Sequence, residues 1–235
     1  MTIARLLLEQ GANLSAVNSM SMTPLHIASQ GEHVTIACLL LEQGANPSAV
    51  NRMGMTPLHI ASQGGHVIIA CLLLEQGANL SAFNRMGMTP LQIASQGGHM
   101  IVVRLLIGLG ARLWAVDMMG MTPLQSASQA RQLPMIRLLT KLGADLSAFH
   151  RDGMTQLHIA SRRGHADSVK LLIERGADLS AADRKGMTPL HIASQGGHLT
   201  IARLLLQQGA NLSAANRMGI TPQHIASQGG HLAIV

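Results

Sequence analysis

The chain has 235 residues and a formal net charge of +6; 47% of its residues are hydrophobic, 12% charged and only 1% aromatic, with no Tyr, two Phe and one Trp. The apolar fraction excludes an intrinsically disordered chain, and the longest apolar run, Val67–Leu74 between His66 and Glu75, falls far short of the ~20 residues of a membrane-spanning helix. With aromatic side chains so scarce, Leu, Ile, Val and Ala must build the core.

Met1–Leu8 is a short apolar stretch before Glu9 without a small-residue cleavage site. It does not read as a secretory signal, so the expected location is cytoplasmic, with the nucleus as the alternative. In chain order, residues 1–17 begin inside a helix-like segment. Thr-Pro then recurs at Thr23, Thr56, Thr89, Thr122, Thr188 and Thr221, and Thr155-Gln156 fills the one gap, always at an interval of 33 residues. The chain therefore divides into a partial unit 1–17, repeats 18–50, 51–83, 84–116, 117–149, 150–182 and 183–215, and a partial unit 216–235. Residues 51–83 differ from 183–215 at only seven positions, so one structural unit is copied along a single array.

Each unit predicts the same elements. In 51–83, Thr56 is placed to cap a helix by accepting the His59 N–H, and Pro57 occupies the first helical position, where its missing N–H costs nothing. This first helix ends at Gly64 and Gly65. A second helix runs over Val67–Gln76 with Ile69, Ala70, Leu72, Leu73 and Leu74 on a wide apolar surface, and Gly77 supplies a left-handed stop. Ala78–Met88 is then an extended finger turning around Asn84 and Gly87. No 33-residue unit can bury its apolar surface alone, so stability must come from stacking on neighbours, with Ala61 and Ser62 small enough for close helix contact. Pro134 is expected to shorten the start of one second helix.

The T-P-L-H-x-A, G-H and L-L-x-x-G-A motifs, together with the 33-residue period, resemble the ankyrin repeat over the whole chain. The resemblance implies an all-α solenoid of stacked helix-turn-helix units with β-hairpin-like fingers. It also implies a non-catalytic scaffold that binds a protein partner on the concave surface of fingers and inner helices. The apolar ends (Ile3, Leu6 and Leu7; Ile225, Ile234 and Val235) point to a segment cut from a longer array, or to end-to-end self-association through uncapped ends.

Of twelve histidines, ten recur at two repeat positions, His59 and His66 among them, and His231 continues the second series. Equivalent side chains in stacked helices lie ~10 Å apart, against ~2 Å for a His–zinc bond. The His series therefore read as hydrogen-bonding residues and no metal is expected, an expectation strengthened by Gln92, Gln125 and Gln132 at equivalent positions. Cys38 and Cys71 share a repeat position and by the same spacing are free thiols. No phosphate-binding loop, cofactor motif or catalytic constellation is present in the sequence.

Transferred by repeat position, the finger residues expected to touch a partner are Arg52, Met53 and Met55; Arg85, Met86 and Met88; Met118, Met119 and Met121; Arg151, Asp152 and Met154; and Arg184, Lys185 and Met187. Met suits an adaptable surface and Arg a carboxylate-bearing one, so the expected partner is acidic or amphipathic. For the Met preceding Thr, packing between fingers is the equal alternative. Departures from the repeat add Trp114, Arg162 and Arg163, Trp114 being the first interface candidate. Two other readings of the same residues are an anionic ligand such as nucleic acid, which the lack of stacking aromatics argues against, and a consensus-like structural spacer.

Overall fold

The computed structural model describes residues 3–231. It resolves into two compact units, Met1–Met118 and Met119–Val235. The first contains α1 (Ile3–Glu9), α2 (Pro24–Gln30), α3 (Val34–Glu42), α4 (Pro57–Gly64), α5 (Val67–Glu75), α6 (Pro90–Gly97) and α7 (Met100–Gly108). The second contains α8 (Pro123–Gln129), α9 (Leu133–Lys141), α10 (Gln156–Arg162), α11 (Ala166–Glu174), α12 (Pro189–Gln195), α13 (Leu199–Gln207) and α14 (Pro222–Gln228). In each unit the first helices pack side by side, α2 on α4 on α6 and α8 on α10 on α12 on α14, while the second helices form a parallel row behind them. Each unit is thus an all-α repeat solenoid segment.

The sequence builds the helix ends as expected. The Thr56 hydroxyl accepts the His59 N–H at 3.3 Å, and the His59 ring Nδ1 accepts the Thr56 N–H at 3.1 Å, a reciprocal capping box. At the end of α5, the Gly77 N–H donates to Leu74 and the Ala78 N–H to Leu73, with Gly77 at φ +78°; these are the two bonds of a Schellman stop. Pro134 does not shorten its helix. α9 keeps nine residues like α3, α5 and α7, because Pro134 sits in the first turn, where no intrahelical N–H bond is lost.

The core is aliphatic. Leu58, Ile69, Leu73, Leu91 and Leu106 are fully buried in the first unit and Ile136, Leu139, Leu157, Leu172 and Leu205 in the second, and Ala61 and Ser62 are fully buried between first helices. Phe83, Trp114 and Phe149, the whole aromatic complement, are all exposed. Among the described residues the fingers contain no strand. One isolated bridge pairs Phe149 with Thr155, so a finger is a tight turn closed by few backbone bonds. At the N-terminal end of the first unit, α1 buries none of its residues, and Ile3, Leu6 and Leu7 are exposed. Ile234 and Val235 lie outside the described residues.

Candidate functional site

A fingertip is organised by its first residue. The Asn51 N–H donates to the Met55 carbonyl, while Asn51 Oδ1 accepts the N–H groups of Met53 and Met55 at 2.9 and 3.0 Å. Asn84, Asp183 and Asn216 do the same, and His150 substitutes its ring Nδ1, which accepts the Asp152 N–H. Successive tips are then tied together by one backbone bond each: Arg85 N–H to Met53, Arg151 N–H to Met119, Arg184 N–H to Asp152 and Arg217 N–H to Lys185. The tips approach so closely that a Cβ on Gly54, which has φ +71°, would lie 2.8 Å from the Arg85 nitrogen. Glycine is required there both for its left-handed backbone and for space.

Beneath the tips, buried histidines bolt one repeat to the next. His59 Nδ1 accepts from Thr56, so Nε2 carries the proton and donates to the Met88 carbonyl at 3.0 Å; His26, His158 and His191 repeat the contact. Gln125 reproduces it with an amide, Oε1 accepting the Thr122 N–H and Nε2 donating to Ala148. Burial holds the His59 ring neutral and pushes its pKa from 6.5 down to about 4, opposed by the bond to Met88. These rings are structural bolts. Among the described residues no group of three His, Cys, Asp or Glu could hold a metal ion, and Cys38 and Cys71 are free thiols.

The second histidine series rests on glycine. A Cβ on Gly65 would lie 2.4 Å from the His99 ring of the following repeat, and one on Gly64 would lie 2.1 Å from the ring of His66. Where glycine is replaced the ring changes partner: His99 bonds the Gln63 carbonyl, whereas His66, facing Glu32, pairs with its carboxylate at 3.3 Å. His165 has Arg131 in place of one glycine and Arg163 in place of the other, and its Nδ1 turns to the Ser128 carbonyl.

The expected partner residues fall into two sets. Arg52, Met53, Arg85, Met86, Met118, Met119, Arg151, Asp152, Arg162, Arg163, Arg184 and Lys185 are exposed. Met55, Met88, Met154 and Met187 are instead buried, between 4% and 8% exposed, and Met121 is half-buried. They pack with the isoleucines of neighbouring first helices, Met55 and Met88 with Ile60 and Ile93, Met154 and Met187 with Ile192 and Ile225. The physical reason is the alternation of the turn, which sends the residue after Gly back into the stack. Their thioethers take part in the tip bonding: Asn84 donates to Met55 Sδ and Asn216 to Met187 Sδ. The position equivalent to these Asn donors is, for Met154, Asp183, which has no side-chain amide to offer, and there Arg162 Nη1 donates to the sulfur at 3.4 Å.

In the second unit these elements enclose a groove of about 740 Å³. Its floor includes Met154, Met187, Ile192, Ile220 and Ile225, and Arg162, Arg184, Lys185, Asp152 and Asp183 contribute the charged lining. Ile192, Ile220 and Ile225 were not anticipated as lining residues, although Ile192 and Ile225 follow the recurring His of the first helix and Ile220 holds the position before Thr that Met fills in most other repeats. Trp114 is 70% exposed in the turn after α7 and is not part of this groove.

A family model of three consecutive ankyrin repeats matches residues 1–84, 50–117, 79–150, 110–183 and 157–235. The chain belongs to the ankyrin-repeat family. No curated protein matches it. Ankyrin repeats are in general protein-interaction modules, and in these repeats tip and core positions alternate within five residues, so exposed tip residues are held by buried bonds. Among the described residues no helix is long and apolar enough to cross a membrane.

Proposed function

We propose that the chain is a non-catalytic scaffold, acting in the cytoplasm or nucleus, that holds an acidic or amphipathic protein partner on the concave face formed by its fingertips and first helices. The observation that carries this reading is the groove of the second unit, with an apolar floor of Met154, Met187, Ile192 and Ile225 beneath Arg162, Arg184 and Lys185. An apolar floor with a cationic rim favours a peptide chain, because a polyanion gains nothing from the floor. Preorganisation supports it further: each tip is fixed by its own Asx-type bonds and by its neighbour, so little ordering entropy is lost on binding.

Capture of a partner from cell extract by the wild-type chain, by Trp114→Ala and by Arg151→Ala tests the reading. Both side chains are exposed, so helical circular dichroism is expected to be unchanged while capture weakens. Undiminished capture by both variants would remove the fingertip face from consideration. Capture of nucleic acid in place of protein, with a steep loss as salt rises, would replace this reading with the anionic-ligand alternative.

A further inference from the structure

The two units differ in charge far more than in fold. Residues 1–118 contain five basic and five acidic residues, and residues 119–235 contain twelve and six, so the whole formal charge of +6 lies in the second unit. Part of this excess comes from replacing neutral residues of the repeat. Arg162 stands where Gln30, Gln63, Gln96, Gln129, Gln195 and Gln228 stand in the other repeats; Arg163 and Arg131 stand where glycine predominates; and Lys185 stands where Met20, Met53, Met86 and Met119 do. Arg162 and Lys185 line the groove with Arg184, Arg163 follows Arg162 in the chain, and Arg163 and Arg131 both act on the ring of His165. All five cations are exposed.

Two observations show that these charges are not matched by acids within the fold, although Arg162 also donates to the Met154 sulfur. Among the described residues, none of the twelve Arg and Lys side chains of the second unit forms an ion pair. Arg131 also occupies a left-handed backbone at φ +59° where most repeats have glycine, a conformation that costs a non-glycine residue ~1–2 kcal/mol. The first unit has the same strain at Glu32, φ +55°, but there the carboxylate is used internally by His66. Strain and positive charge that persist without an internal acid point outward.

We infer that the groove of the second unit is a subsite for an acidic amphipathic peptide segment, whose apolar side chain enters between Met187, Ile192 and Ile225 while its carboxylates meet Arg162, Arg184 and Lys185. This inference rests on the scaffold reading above and names the partner's chemistry at that face. Guanidinium groups suit carboxylates because their planar forks donate two parallel bonds. Nucleic acid fits less well. Asp152 and Asp183 also line the groove and would repel a continuous phosphate chain, and no aromatic side chain lines it to stack a base.

The test uses a short fluorescein-labelled Glu/Leu peptide and the full chain, read by fluorescence anisotropy. In the variant Arg162→Gln/Arg163→Gly/Lys185→Met, each change installs a residue that other repeats already carry, so the fold is kept, as circular dichroism will show. Its affinity is expected to drop about tenfold or more. A peptide with Ser for Leu is expected to bind more weakly to the wild-type chain, and binding is expected to weaken as salt rises. Unchanged affinity of the triple variant, equal binding of the Ser peptide, or tighter binding of a single-stranded oligonucleotide of the same charge would each overturn the inference. Such a result leaves the scaffold reading standing as long as Trp114→Ala or Arg151→Ala still weakens partner capture; failure of that capture experiment sinks the broader reading instead.

Discussion

The Met1–Met118 and Met119–Val235 units are cut from one 33-residue template, and what separates them is where they place charge. In the first unit the fingertips are Arg-Met pairs, Arg52-Met53 and Arg85-Met86, and the acid at the strained turn, Glu32, is consumed by His66. In the second unit the equivalent turn carries Arg131 and the adjacent first helix ends in Arg162, followed by Arg163, with no acid to receive them. The lesson is that a repeat tolerates wide change at exposed positions because its stability is held elsewhere, in the Thr-His bolts and the aliphatic rows. Two stretches with nearly the same core can therefore present different chemistry.

The largest effect expected from probing that shared core is its response to acid. The His59 ring titrates near 6.5 in the unfolded chain and at about 4 when folded. As the pH falls from 6.5 towards 4, the unfolded chain takes up a proton that the folded chain refuses. Stability is therefore fully present above this window and lost on descending through it, by ~3 kcal/mol for this ring. His59→Gln, which copies the bonding of Gln125 in the second unit, is expected to remove that part of the acid lability; chemical denaturation at pH 7 and at pH 4.5 measures it. An unaltered pH dependence would show that the bolt does not discriminate between protonation states.

A smaller effect separates the two strained turns. Arg131→Gly is expected to stabilise the second unit by about 1 kcal/mol, since glycine adopts φ +59° without penalty. Glu32→Gly is expected to gain less, because it also forfeits the 3.3 Å contact with His66. Equal gains in urea denaturation would mean that the Glu32 pair contributes nothing. The smallest effect is that of salt: raising ionic strength is expected to slow amide exchange in the second unit by a few tenths of a kcal/mol, through screening of its twelve-to-six charge excess, and to leave the balanced first unit unaltered. The same slowing in both units would remove charge as the distinction between them.

Much of the architecture was legible because its causes are local and repeated. Thr56 and Pro57 start a helix, Gly77 stops one, and a pattern copied at a constant interval declares stacking before any contact is seen. Two side chains show where this stops. Met53 and Met55 are two residues apart with the same chemistry, yet one is 53% exposed and the other 7%, a difference created by the turn that Asn51 folds between them. Trp114, singled out by its rarity, does not line the groove, whereas Ile192 and Ile225, commonplace in sequence, do.

The sequence alone settled the repeat, the capping chemistry, the free thiols and the aliphatic core, because each depends on residues near one another or on the period itself. Only the tertiary structure decided which methionines are core and which are surface, that the aromatic residues are all exposed, that Pro134 is harmless, and that His165 changes its partner because two arginine Cβ atoms occupy space that glycine leaves open. Those outcomes depend on the distance between side chains from different repeats, and that distance exists only after the repeats have stacked.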